Sequence, residues 1–268
     1  KYVGVDDLDI DLFESQYVVP EGMSYNSYVI LDEKTAVMDT VDARKTDEWI
    51  NNVKVALGGK NLDYIVCLHM EPDHAGSMMK AMETFPTAKV VGNAKTFTYM
   101  AQFFDVNLEG RKVEVKDGES LSLGEHNLTF VCAPMVHWPE VMVAYESSEK
   151  GLFAADAVGK FGAISKYDGD WACEARRYYF NICGKYGVQV QSLLKKAAAL
   201  DIKTIAPLHG PVLKENLGYY IDLYNTWSSY GVESEGVLVA FASIHGNTRK
   251  AAEKIASILE KQGAKKGM

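Results

Sequence analysis

The chain has 268 residues, of which 47 % are apolar and 24 % charged, with a formal net charge of −8. That is the composition of a globular protein long enough to bury its own core as one large domain or two small ones. The acidic balance argues against a nucleic-acid-binding face, no apolar run is long enough to span a bilayer, and the acidic start KYVGVDDLDI does not read as a secretory leader.

Residues 24–33 and 35–42 predict a hairpin that turns at DEKT. Residues 43–57 carry apolar side chains at helical spacing and stop at the Gly58-Gly59-Lys60 signal. Residues 62–70, LDYIVCLHM, predict a buried strand. A helix over 75–85, a strand over 88–92 and a helix over 94–104 follow. Residues 111–159 divide into five or six short strands at the turn signals KDGE, GEHN and SSEKG. A helical stretch over 171–200 is interrupted near Gly184 and Gly187, and is succeeded by a strand over 203–210 and a helix over 214–230. A new unit begins at Gly236 and reads as strand, glycine turn and helix. This order predicts an α/β architecture of two sheets stacked face to face with helices outside.

The cysteines, Cys67, Cys132, Cys173 and Cys183, form no CxxC pair. They predict reduced core thiols in a cytoplasmic protein, with neither a disulfide framework nor a thiolate metal site.

The chemistry concentrates in LHMEPDHAGS, residues 68–77. His69, Glu71, Asp73 and His74 stand together at the end of an apolar strand, in a chain with six histidines. Burying such groups unpaired would cost several kcal/mol each, roughly, and metal coordination removes that cost. His137, Asp156 and His209 each follow a predicted strand as well, where rigid elements position loop residues. His126, in the turn GEHN, reads as an ordinary surface histidine. Seven donors suit two ions, with Asp156 as the shared carboxylate and the other six divided equally. A set of imidazoles and carboxylates without thiolate suits iron or manganese as well as zinc. Three carboxylates and a bridging hydroxide balance two divalent ions. If both become trivalent, the ions and carboxylates sum to +3, and a bridging oxide brings that to +1.

HMEPDH resembles the H-x-[HE]-x-D-H motif of the metallo-β-lactamase superfamily, whose hydrolases carry His at the third position. The version with Glu is similar to that of the flavodiiron proteins, or A-type flavoproteins. His137 in VHWPE, Asp156 in AADAVG and His209 in PLHGP match the later ligands of that family, and the resemblance runs from about residue 10 to the end. It implies a metallo-β-lactamase-like αββα sandwich over residues 1–235 that reduces O2 to water and/or NO to N2O. It assigns His69, Glu71 and His137 to one iron and Asp73, His74 and His209 to the other, with Asp156 bridging. It further implies electrons from a rubredoxin-like donor, an FMN in a C-terminal flavodoxin-like domain, and a head-to-tail homodimer in which the FMN of one subunit faces the iron pair of the other.

The tail ASIHGNTRKAA resembles a flavodoxin phosphate loop. Ser243, Asn247 and Thr248 offer side-chain hydrogen bonds, and the amides of Ile244, His245, Gly246, Asn247 and Thr248 open a helix, whose dipole favours phosphate. A glycine turn capped by Asn247 or Thr248 is the plainer alternative, and the Lys of a nucleotide-triphosphate loop is absent. Residues 236–268 are far fewer than the ~100 of a compact domain. They are therefore expected to be an incomplete flavodoxin-like β-α unit, and FMN binding by this chain is expected to be weak or absent. Two other functions compete: a di-zinc hydrolase, against which Glu71 stands, and a metal-binding scaffold without turnover. Trp138, Tyr178 and Tyr179 are candidates either to shape the pocket or simply to pack.

Overall fold

The computed structural model describes residues 1–264; the last four residues of the expected 236–268 unit lie outside the described residues. The chain divides into two compact units, Lys1–Ser229 and Tyr230–Met268.

The first unit begins with short strands that the sequence did not reveal. β1 (Val5–Asp7), β2 (Leu12–Phe13), β3 (Tyr17–Val18) and β4 (Met23–Tyr25) make two small antiparallel ribbons, β1 with β4 and β2 with β3. Strands this short leave no periodicity to read. The predicted hairpin follows as β5 (Tyr28–Ile30) and β6 (Ala36–Met38), with Val29 opposite Val37. Helix α1 (Thr46–Leu57) buries Trp49, Ile50, Val53 and Leu57 along one face. It ends because Gly58 adopts a left-handed φ of 59°, which costs glycine nothing.

Next come β7 (Tyr64–Val66), α2 (Pro72–Ala75), α3 (Met78–Thr84), β8 (Lys89–Gly92), α4 (Ala94–Phe103) and β9 (Lys112–Glu114). The helix expected over 75–85 thus starts earlier and in two pieces. Pro72 suits a first helical turn, because its missing N–H is one the helix leaves unpaired. The first sheet runs β5-β6-β7-β8-β9, parallel from β6 to β9.

The second sheet holds β10 (Ser120–Ser122), β11 (Asn127–Cys132), β12 (Met142–Glu146), β13 (Gly151–Phe153) and, after α5 (Ala172–Ile182) and α6 (Gly187–Ala197), β14 (Thr204–Ala206). Its strands are antiparallel except for the parallel pair β13–β14. Helix α7 (Leu217–Ser228) closes the unit. A single apolar core contains Val37, Ile65 and Val90 of the first sheet with Phe130, Val143, Leu152 and Ile205 of the second. Trp49 and Val53 of α1 and Val190 and Leu193 of α6 join it. The first unit is therefore an αββα sandwich.

In the second unit the expected strand after Gly236 does not form. Among the described residues from Tyr230 onward only helix α8 (Asn247–Lys261) is regular. A strand needs a neighbour for its N–H and C=O groups, and among the described residues none pairs with this segment, which leaves Val237, Leu238, Phe241 and Ile244 exposed. The cysteines also need a correction. Cys67 and Cys183 are buried and Cys132 is half-buried, but Cys173 is exposed on the first turn of α5.

Candidate metal centre

All seven singled-out donors meet at one end of the sandwich, because each lies just beyond a strand that points there. β7 ends at Val66, and the chain then turns because the amides of Leu68 and His69 both donate to Oδ1 of buried Asp39, at 2.7 and 3.2 Å. Glu71 is the residue before Pro72, and the single turn of α2 carries Asp73 and His74. Thr40 holds that turn, donating from its N–H at 3.0 Å and its hydroxyl at 2.5 Å to the His74 carbonyl. From the second sheet come His137 between β11 and β12, Asp156 after β13 and His209 after β14. The Leu208 amide donates to the Ala155 carbonyl at 2.9 Å and so aligns the last two loops.

The donors fall into two groups, His69, Glu71, His137 and Asp156, and Asp73, His74 and His209. In the first, Nε2 of His69 lies 3.2 Å from Glu71 Oε2 and 3.4 Å from Asp156 Oδ2. Nε2 of His137 lies 3.0 Å from Glu71 Oε2 and 3.2 Å from Asp156 Oδ2. In the second, Asp73 Oδ2 is 3.3 Å from His74 Nε2 and 3.2 Å from His209 Nε2. The other Asp156 oxygen, Oδ1, reaches this group, 3.1 Å from His74 Nε2 and 3.7 Å from His209 Nε2. Asp156 thus turns one oxygen to each group, the geometry a bridging carboxylate requires.

Whether the residues suit a metal can be judged from the polar atoms themselves. Both Asp73 oxygens, Asp156 Oδ1, His74 Nε2 and His209 Nε2 are buried with no hydrogen-bond partner. Orphaned polar atoms on this scale are rare in a folded protein, and a cation among them satisfies all at once. The titration behaviour agrees. Burial disfavours a charged His69, yet Asp156, Glu140 and Glu71 together lift its pKa well above the ordinary range. Burial likewise opposes charge on His74 and His137, but Asp73 and Asp156 raise the first to about 9, and hydrogen bonds that His137 donates to Asp156 and Glu71 raise the second to about 9. Burial opposes charge on Glu71 and Asp156 too, and the neighbouring imidazoles overcome it and hold both carboxyls below their ordinary range. Without a cation, protons take its place.

Aromatic rings wall the centre. Phe13 and Tyr178 stand 5.5 Å from the His209 ring, and Trp138 stands edge-on to His69 at 5.4 Å. Tyr179 packs instead against Tyr224 and Trp227, so of the two neighbouring tyrosines it is core. A pocket of about 330 Å³ opens over Glu71 and Asp73, with Phe13, Glu14, Tyr25 and Arg44 on its rim.

Four residues here were not foreseen. Asp39 turns the ligand loop; burial raises its carboxyl to about 7. Glu14 lies beside Glu71, and burial with that neighbour's charge raises it to about 7. The Ser24 carbonyl accepts from His209 Nδ1 at 2.6 Å. Glu140 lies 2.7 Å from His69 Nδ1. The one signal available was a carboxylate in an apolar context: Asp39 inside AVMDTV, Glu140 in VHWPEVMV. The loop residues Ser243, Ile244, His245, Gly246, Asn247 and Thr248 belong to the second unit. There Gly246, at φ 83°, precedes α8, and neither Asn247 nor Thr248 caps it.

The profile described as ODP family beta lactamase matches residues 23–210, which contain every one of these seven donors. The chain belongs to that family. Similar proteins include one of Moorella thermoacetica named nitric oxide reductase, 33 % identical over 95 % of this chain and 65 % of its own length. Among solved structures, the flavodiiron protein of Giardia intestinalis superposes with a TM-score of 0.93 at 28 % identity, covering 98 % of this chain and 66 % of that one. The rubredoxin oxygen:oxidoreductase of Desulfovibrio gigas superposes at 0.89 and 28 % identity, covering 98 % and 68 %. The chain therefore spans about two thirds of the length of these proteins, and its fold is that of the flavodiiron core.

Proposed function

We propose that this chain carries the di-iron centre of an oxidoreductase that takes O2 to water and/or NO to N2O. The observation that carries the reading is the pair of donor groups sharing Asp156, in a fold whose relatives bear the names of nitric oxide and oxygen reductases. His69, Glu71 and His137 would hold one iron, Asp73, His74 and His209 the other, and Asp156 both; zinc or manganese are substitutes the same donors accept. When bound, an iron pair supplies electrons one at a time and two adjacent electrophilic positions.

The residues of the chain do the rest. Glu71, Asp73 and Asp156 place negative charge against whatever positive charge the centre gains on oxidation. Phe13, Tyr178 and Trp138 hold the imidazole rings in place by packing and keep bulk water from them. The 330 Å³ pocket admits a diatomic molecule with ease. The hydrolase reading is not favoured: Glu71 replaces the His of that class, and the relatives are named reductases.

By the same reading residues 1–235 form the di-iron domain, and 236–268 begin a flavodoxin-like domain whose loop before α8 meets an FMN phosphate in the whole protein. Electrons then arrive from a rubredoxin-like donor, in a cytoplasmic head-to-tail homodimer.

The test is anaerobic reconstitution with Fe(II), followed by measuring O2 and NO consumption with an artificial reductant. Consumption of either gas is expected, and loss of it in Glu71→Ala. Uptake of zinc alone, with hydrolysis of esters and no gas consumption, would overturn the reading.

A further inference from the structure

The two donor groups look alike from inside. Each offers two imidazoles, one carboxylate of its own and one oxygen of Asp156. Any difference between them must therefore come from what stands behind the ligands.

Behind His69 stands Glu140, which is fully buried. Its Oε1 lies 2.7 Å from His69 Nδ1 and accepts the Met70 amide at 2.9 Å. Asn93 donates to its backbone carbonyl at 2.6 Å and pins the residue from the far side. An ionised carboxylate accepts and cannot donate, so the shared proton lies on Nδ1 and the lone pair of His69 lies on Nε2, facing the centre. A carboxylate behind a ligating imidazole also raises its basicity. In the other group no carboxylate is hydrogen-bonded to an outer ring nitrogen, and buried Asp39 acts on His74 through its charge alone. His209 Nδ1 donates to the uncharged Ser24 carbonyl, and His74 Nδ1 is buried without a hydrogen-bond partner. Among the described residues, His69 is the one ligand ring with a carboxylate on its outer nitrogen.

We propose that Glu140 makes the two positions unequal, so that the first divalent ion enters at His69, Glu71 and His137 and the second at Asp73, His74 and His209. The proposal rests on the two-ion reading above. Glu140 touches no ion and no substrate; it is a positioning residue, acting through the His69 ring.

The test starts from metal-free protein given one equivalent of Mn(II), with the ion located by anomalous scattering in crystals. In the unmutated protein the signal is expected beside His69, with the second position filling only on further addition. In Glu140→Gln, which keeps the size and an accepting oxygen but removes the charge, affinity for the first ion should fall about 10–100-fold while that for the second stays unchanged. Equal occupancy in the unmutated protein, filling of the Asp73 position first, or equal weakening of both ions in the variant would overturn the proposal and leave the two-ion reading standing. Absence of an ion from both positions would overturn the reading and the proposal together. Should the variant not fold, the order of filling in the unmutated protein still decides.

Discussion

At the scale of single residues, Asp156 and the imidazoles make the sharpest predictions. Asp156 is fully buried and turns one oxygen to each group. Asp156→Asn removes the shared charge, and the loss of affinity for the ion pair should exceed the ~10–100-fold typical of losing an outer partner. Calorimetric titration with Mn(II) checks this. The pH dependence follows from His74 and His137, which stand at about 9 in the metal-free protein. A ligating imidazole must first lose its proton, so affinity should rise with pH up to about 9, roughly tenfold per unit for each proton released. Repeating the titration in buffers of different ionisation enthalpy counts those protons. The same shifts govern the metal-free fold. Both histidines titrate higher when folded than at their ordinary 6.5, so their contribution is full below about 6.5 and is lost as pH rises through about 9. Chemical denaturation of metal-free protein across that window should show falling stability.

At the scale of elements, the site depends on turns more than on sheets. Gly76 follows α2, and a Cβ there would lie 2.5 Å from the Pro72 carbonyl oxygen and 2.8 Å from the Ala43 amide nitrogen. The Pro72 carbonyl cannot yield without moving the turn that carries Asp73 and His74, and the Ala43 amide belongs to the separate turn Ala43–Lys45 against which Gly76 packs. Gly76→Ala should cost about 1–3 kcal/mol and weaken the ion at Asp73, His74 and His209 before the other, as stoichiometry at limiting metal would show. Helix α4 depends on its capping box, in which Asn93 accepts from the amides of Lys95 and Thr96. Asn93→Ala should cost about 1–2 kcal/mol in denaturant unfolding. The sequence disclosed the elements whose pattern is local: the 24–42 hairpin, α1 with its glycine stop, the break near Gly184, and the donors at strand ends. It hid what depends on distant partners. The carbonyl waiting for His209 is that of Ser24, and the carboxylate behind His69 is Glu140; no spacing rule connects such pairs. The strand expected after Gly236 failed for a related reason, since alternation predicts a strand only where a neighbour exists to pair with it.

At the scale of the whole molecule, the two sheets divide the ligands between them. The first supplies His69, Glu71, Asp73 and His74, the second His137, Asp156 and His209. A bound ion pair is thus a clasp across the sandwich and should stabilise the fold as any ligand specific to the native state does. At ion concentrations a thousandfold above Kd that amounts to about 4 kcal/mol, or a rise in Tm of roughly 8–16 °C; scanning calorimetry with and without a chelator measures it. The order of ligands along the chain carries a further consequence. Ser24 and His209 are 185 positions apart, and their contact fixes the last ring of the centre. A ribosome delivers the chain from its N-terminus, and domains fold in that direction as they emerge. The early histidines therefore leave the exit tunnel long before the late ones, and during that interval they are loose imidazoles that any passing cation can occupy. By the two-ion reading, the position of His69, Glu71, His137 and Asp156 has all its donors before residue 209 is made, and only the position of Asp73, His74 and His209 waits for the last loop.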